Sequence, residues 1–511
     1  MKVTGCILIL LHLFCPEALS LDVDKGAFYM AAVYEHRPVL TPDPKVPHTR
    51  RAALELMYKN LAVYEEQVKA AAEQGVQIIV FPEDGIHGFN FTWESIQPFL
   101  EFEPPVSLKT WNPCLESGRF NGTEVLQRLS CMALNGSMFV VANVGTKMPC
   151  QHLDPGCPPD GQYQFNTDVV FSAAGTLVAR YHKQNLYFED AFNSPPEMEH
   201  IVFDTPFANG FGLFTCFDIL FREPAVGLVT QHQVKHVLYP TAWMNQLPLL
   251  SAVQIQRGFS SSFNINFLAA NIHEPSLGLT GSGIYTPAKS HYYHNMKSQE
   301  GKLIVAQVPV NPSLECSRKK ESRHKVSQTQ GLMVDLPLDS SVCQVEQQGV
   351  RCEGKPVGFH KPTPAFFSEM MYDNFTLVLI TGAEGGLQVC SNSLCCSLSY
   401  RNAALSGETY ALGVFDGLHT IHGTYYLQVC TLVKCGETCG QEITEAGGVL
   451  DFQLWGNFST SYVFPLLLMS GMTLDLPGDW GWAGHDCYMS KEKTSSGLVT
   501  AALYGRWYEK D

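Results

Sequence analysis

Val76-Gln77-Ile78-Ile79-Val80-Phe81-Pro82-Glu83-Asp84 is the stretch on which the fold turns. Val76 to Phe81 is almost wholly apolar, which predicts a strand covered on both faces, as in a layered α/β protein rather than a solvated hairpin. Pro82 ends it, and Glu83 follows at the point where a strand gives way to a loop. Upstream, Leu54, Met57, Leu61, Tyr64, Val68 and Ala71 recur at spacings of three and four, a helix with one buried face. Gly75 supplies its stop. Downstream, a second helix over Glu124 to Leu134 halts at Asn135-Gly136 and leads into the apolar strand Met138 to Asn143. Asp168 to Phe171 and Thr176 to Tyr181 flank a Gly-containing turn, a hairpin signal. Gly212 to Cys216, His236 to Tyr239 and Phe267 to Asn271 read as further strands. Helices alternate with strands but hairpins interrupt them, so the fold class is α/β with helices outside mixed sheets, not a pure doubly wound parallel sheet.

The texture changes twice along the 511 residues. Residues 311–364 are polar, rich in Lys, Gln and Ser, and weakly periodic, as expected of a linker or insertion. From 365 to 511 short β runs (Thr376 to Ile380, Tyr425 to Val433, Tyr462 to Leu468, Leu498 to Tyr504) alternate with Gly-rich turns and carry seven cysteines. This predicts a smaller, disulfide-stapled β domain after a catalytic-sized domain at 21–310. Cys430, Cys435 and Cys439 are too irregularly spaced for a zinc site, and thiols outside the cell oxidise.

Composition restricts function. Charged residues are 16% and the net charge is −15, and the one cationic cluster, Arg318 to Lys325, is short, so no nucleic-acid partner is expected. Lys2, the apolar run Cys6 to Phe14 and the small residues Ala18-Leu19-Ser20 read as a secretory signal over residues 1–20. The polar C-terminus, Tyr504 to Asp511, predicts no membrane anchor. A secreted, extracellular chain makes the sequons at Asn90, Asn121, Asn135, Asn374 and Asn457 candidate glycosylation sites. Of 17 cysteines two leave with the signal, and the odd remainder leaves at least one thiol unpaired in an oxidising compartment. Cys150 and Cys157, separated by the turn formers Pro155 and Gly156, are the expected local disulfide.

Three residues at predicted strand ends carry the chemistry. They are Glu83 after Ile78 to Pro82, Lys183 in Arg180-Tyr181-His182-Lys183-Gln184, and Cys216 in Phe214-Thr215-Cys216-Phe217-Asp218. In that order and with those flanks they resemble the Glu-Lys-Cys triad of the nitrilase superfamily, the carbon–nitrogen hydrolases. The resemblance covers Phe28 to about Val310 and implies an α-β-β-α sandwich. Tyr239 to Asn245, Thr280 to Tyr285 and the cysteine-rich C-terminal half are similar to the vanin and biotinidase branch. His87 to Thr92, Trp243 to Leu250, Cys439 to Glu445 and Leu454 to Thr460 place the resemblance on its biotinidase side.

The resemblance implies an amide hydrolase that releases biotin from biotinyl-lysine and short biotinyl peptides through a cysteine thioester. It implies Cys216 as nucleophile, Glu83 as general base and acid, and Lys183 with the Phe217 backbone N–H as oxyanion donors. Glu189 would be an auxiliary carboxylate, and Trp243, Met244 and Asn245 would line the acyl pocket. No metal or organic cofactor is implied, and a monomer is expected because the extra domain and glycans would cover the superfamily's usual dimer face. Pantetheine hydrolysis is the alternative, and a non-catalytic vitamin-binding protein a more remote one. Burial would raise the Glu83 pKa while the Lys183 cation would lower that of Cys216, matching base to nucleophile.

Overall fold

A computed structural model describes residues 27–104, 111–313, 342–346, 349–353, 364–404, 407–437, 439 and 443–511. The secretory-signal reading of residues 1–20 and the cationic cluster Arg318 to Lys325 lie outside them. In chain order the first domain runs β1 (Phe28–Glu35), α1 (Arg50–Ala72), β2 (Ile78–Val80), β3 (Glu101–Phe102), α2 (Glu124–Gly136), β4 (Phe139–Pro149), β5 (Gln162–Phe171) and β6 (Leu177–His182). It continues through β7 (Val202–Phe203), β8 (Phe211–Leu213), α3 (Gly227–Thr230), β9 (His236–Thr241), α4 (Ala252–Phe263), β10 (Asn266–Asn271), β11 (Ser282–Tyr285), β12 (Ser290–Tyr293) and β13 (Lys302–Pro309).

Two sheets result, in the orders β13-β1-β2-β4-β5-β6 (with β3 paired to β4) and β12-β11-β10-β9-β8-β7. Each is parallel at its centre, where β1, β2 and β4 in one and β8, β9 and β10 in the other lie side by side, and antiparallel at its margins. Strand alternation sets the layers. Ala31, Val33, Ile78, Val80 and Val141 face Leu213, Val237 and Phe267 of the second sheet. Ala32, Ile79, Phe81 and Val140 face the buried stripe of α1 and α2, with Met57, Leu61, Tyr64 and Leu129. The double burial of Ile78 to Phe81 follows from this, and the domain is the expected α-β-β-α sandwich.

The second half folds as two further seven-stranded sheets, packed on each other through Leu398, Leu454 and Met489 against Leu412, Leu432 and Leu503. Part of the stretch expected to link the domains is strand: Val342–Glu346 and Gly349–Glu353 form a hairpin whose first strand pairs with Glu384–Ser391. Helix α4 lies between the domains. Its Phe259 ring stacks on Phe464 of the β domain at 6.0 Å, and an added Cβ at Gly258 would meet Leu466 Cδ2 at 2.6 Å.

Among the described residues five disulfides join Cys114–Cys131, Cys150–Cys157, Cys390–Cys395, Cys396–Cys430 and Cys435–Cys439. Cys430, Cys435 and Cys439 are therefore all oxidised. Among the described residues Cys216 is free and buried, and so is Cys487; the odd total asked for at least one unpaired thiol but not for how many or which. The five sequon asparagines are exposed, although the Asn457 amide nitrogen donates to Ser393 O at 3.2 Å. Among the described residues no helix is long and apolar enough to cross a membrane.

Candidate active site

Glu83, Lys183 and Cys216 are each delivered by a chain that leaves a sheet. Glu83 follows β2, Lys183 follows β6, and Cys216 opens the short helical turn Cys216–Leu220 after β8. All three are buried, at 1%, 2% and 7% exposure. Lys183 Nζ donates to Glu83 Oε1 at 2.6 Å and also to Glu189 Oε1. The far oxygen, Glu83 Oε2, accepts the Ala242 N–H at 2.9 Å. Asn166 stands in no recognisable motif of the sequence. Its amide nitrogen donates to Glu83 Oε1 at 2.8 Å and to Glu189 Oε2 at 2.7 Å, holding two carboxylates side by side. Asn166 is fixed in turn by Asn143, which donates to its Oδ1 at 2.6 Å and to Asp168 at 2.9 Å. The only signal for these groups is a set of polar residues at buried strand positions.

The nucleophile turn is held just as firmly. Cys216 sits at φ 45°, a left-handed conformation that costs a non-glycine residue energy and must be imposed by its surroundings. Thr215 Oγ1 donates to Asp168 at 2.7 Å. Asp218 accepts from the Thr215 N–H at 3.0 Å, the Tyr181 hydroxyl at 2.6 Å and the Asn185 N–H at 2.9 Å. One carboxylate thus ties the Cys216 turn to the loop that carries Lys183. The Tyr239 hydroxyl caps Cys216 O at 2.7 Å. Phe217 stands in the first turn of that short helix, where N–H groups have no intrahelical acceptor.

The electrostatics differ from the sequence expectation for Cys216. Burial and the neighbouring Glu83 charge push its thiol well above the ordinary range, and Lys183, Thr241 and the Ala242 N–H only partly offset them. Lys183 cannot pull it down further because two carboxylates already neutralise its charge. Burial pulls the Lys183 pKa down, but Glu189 and Glu83 outweigh it and hold the group well above its usual value as a cation. Burial and the Glu83 charge raise Glu189 against the pull of Lys183. The resting site is therefore a neutral thiol beside an ammonium clamped between carboxylates, and any thiolate must form as its proton departs.

Above Cys216 opens a cleft. Phe217, Leu220, Trp243 and Met244 line it, and so do Tyr187, Ala242 and Gln246. Asn245 does not: its amide nitrogen donates to Gly278 O and Thr280 O, at 2.7 and 2.9 Å, and its Oδ1 accepts the Ala252 N–H. It braces the loop instead of facing a ligand. His422 and Tyr425 of the β domain complete the wall. No sequence signal marks them, because they flank a hairpin turn in another domain. Among the described residues no group of three or more His, Cys, Asp or Glu is placed to hold a metal.

Buried carboxylates, an ammonium and a thiol at the base of a cleft suit acyl transfer from nitrogen to sulfur and on to water. The carbon–nitrogen hydrolase family matches residues 54–254, and the Vanin C-terminal domain family matches residues 365–511. The chain belongs to the carbon–nitrogen hydrolases, in the branch that joins biotinidases with pantetheinases, and is an amide hydrolase. It is 60% identical to the biotinidase of Rattus norvegicus over 497 residues, which covers 96% of this chain and 95% of that one. Against the pantetheinase of Homo sapiens the identity is 44% over 491 residues, covering 94% and 90%. Among solved structures, an amidase from Nesterenkonia sp. aligns over 59% of this chain and 97% of its own, at 20% identity and a TM-score of 0.39.

Proposed function

We propose that this chain is a secreted hydrolase that releases biotin from biotinyl-lysine and short biotinyl peptides. The observation that carries the chemistry is the ion cluster of Glu83, Lys183 and Glu189 buried beside the free thiol of Cys216. The choice of acyl group is supported by the identity of 60% with a biotinidase against 44% with a pantetheinase, at similar coverage.

In this reading Glu83 takes the proton from Cys216 Sγ as the sulfur attacks the amide carbonyl. The high pKa of the thiol makes that concerted removal necessary. The oxyanion is met by the Lys183 ammonium and the Phe217 N–H, both in place before the substrate arrives. As the C–N bond breaks, Glu83 passes its proton to the leaving amine and a thioester remains on Cys216. Glu83 then deprotonates a water that attacks the thioester, and the proton returns to the departing sulfur, so the enzyme ends as it began. Glu189 keeps Lys183 charged and oriented.

The test compares turnover of biotinyl-lysine and of pantetheine by one preparation of the full chain. The reading expects lysine release from the first to exceed cysteamine release from the second; the reverse order would make the chain a pantetheinase. Glu83→Gln keeps the shape but removes the proton acceptor. It should lower turnover by about 10²- to 10⁴-fold, with no thioester accumulating on Cys216 by intact mass. A loss of less than about tenfold would place the base elsewhere.

A further inference from the structure

The cavity above Cys216 is formed by two domains, and its wall is chemically lopsided. Phe217, Leu220, Trp243 and Tyr425 make it largely apolar, and no Lys, Arg, Asp or Glu lines it. The nearby Lys183 is already bound to both Glu83 and Glu189. A charged acyl group would lose its hydration here and gain no counter-ion, so the site disfavours one.

Two polar side chains interrupt the apolar wall. His422 engages only its Nδ1, which shares a hydrogen bond with the Tyr187 hydroxyl at 3.2 Å, so its Nε2 has no partner among the described residues. Gln246 bonds through its backbone to Leu250, and its side-chain amide likewise has no partner among them. The imidazole is not free to wander. Its ring meets Phe188 edge-on at 5.3 Å and 88°, and Tyr372 at 4.8 Å and 66°. A purely apolar ligand would cut both polar groups off from water and leave them without a partner.

We infer that His422 and Gln246 form a subsite for the head of the acyl group, and that this head is uncharged and carries both hydrogen-bond donors and acceptors on an apolar arm. The C-terminal domain thereby supplies a specificity determinant to an active site built by the other domain. The inference rests on the amidase reading of Cys216. A cyclic urea at the end of a four-methylene chain has the required chemistry: Gln246 can both donate and accept, and the imidazole adds a second directed contact. Selection of this kind is strong because an analogue without the head leaves the polar partners unpaired.

The experiment measures kcat/KM of the full chain for biotinyl-lysine and for ε-N-valeryl-lysine, which keeps the arm and the leaving amine but lacks the head. The parent should prefer the biotinyl substrate. His422→Phe keeps an aromatic ring between Phe188 and Tyr372, and Gln246→Met keeps the side-chain length. Each should shrink the preference by about two- to tenfold, the size of one neutral hydrogen bond, mainly through KM for the biotinyl substrate. Equal losses on both substrates, or no change in their ratio, would overturn the subsite. A parent that hydrolyses both amides equally well would overturn it too while leaving the amidase reading intact. A parent that hydrolyses neither would overturn the subsite together with the biotinyl-hydrolase reading.

Discussion

Asn166 is the residue on which the two site carboxylates depend. One amide nitrogen supplies a hydrogen to Glu83 and another to Glu189, while the Asn166 oxygen is occupied by Asn143. Only a primary amide can donate twice and accept once from that position. Asn166→Asp would set a third carboxylate between the other two. It should lower kcat by about tenfold to a hundredfold, the usual price of displaced catalytic groups, with a smaller effect on KM. Because a protonated acid regains one donor, the variant's rate relative to the parent should rise as pH falls. Steady-state kinetics from pH 5 to 8 provide the check, and a parent-like profile at more than half the parent kcat would make Asn166 a bystander. Glu83, Lys183 and Cys216 were legible only together, through the resemblance of their order and flanks to the Glu-Lys-Cys triad; singly they read as a helix cap, a solvated lysine and a core cysteine. Asn166 was not legible, since a lone amide inside a strand reads as an interruption of the pattern, and its meaning comes from β5 pairing with β6 on one side and with β4, the neighbour of β2, on the other.

Strand β6 positions Lys183 through the residue before it. His182 Nε2 lies 2.9 Å from Glu103 and Nδ1 lies 2.8 Å from Glu199, and the His182 N–H adds a third bond to Glu199 at 3.0 Å. Burial opposes the charge on this imidazole, but the two carboxylates prevail and raise its pKa to about 9. The folded chain thus holds a proton that the unfolded chain releases near pH ~6.5. The resulting stability is complete below that value and is lost as pH rises to about 9. Asp168, raised by burial to about 8, binds its extra proton from about pH 4 upward and gives a slope of the same sign. The readout is therefore the difference between parent and His182→Gln. The gap in unfolding free energy, on the order of 3 kcal/mol at pH 6, should narrow steadily towards pH 9.5. A gap independent of pH would mean that His182 is neutral in the fold. The strand itself was legible from its hairpin signal, but the clamp was not, because Glu103 and Glu199 come from segments with no periodicity.

At the scale of the whole molecule the question is what seats the β domain against the nucleophile turn. Arg506, fully buried in the last strand (Leu498–Arg506), donates its Nε to Leu220 O at 2.7 Å, across the domain boundary and at the end of the turn that begins with Cys216. Its other nitrogens reach Tyr426 O at 2.6 Å and the Asp511 carboxylate at 2.6 Å, and its guanidinium lies 4.7 Å from the ring centres of both Tyr425 and Tyr508. The β domain is legible in the sequence from its turns and cysteines, but this junction is not, since a lone arginine after an apolar strand looks like any solvated charge. Lysine is no substitute here: a single ammonium on a flexible stem cannot serve three acceptors spread over a planar fork. Arg506→Lys should leave the buried Leu220 O or the exposed Asp511 carboxylate without its donor and cost about 1–3 kcal/mol, as leaving a buried polar group unsatisfied does. The loss should appear as a lower denaturant midpoint. Because Leu220 and Tyr425 both line the cavity, amidase activity should fall at denaturant concentrations where the parent is still fully active. An unchanged midpoint would mean that the aromatic contacts around Phe217 and Tyr425 hold the domains together without the arginine.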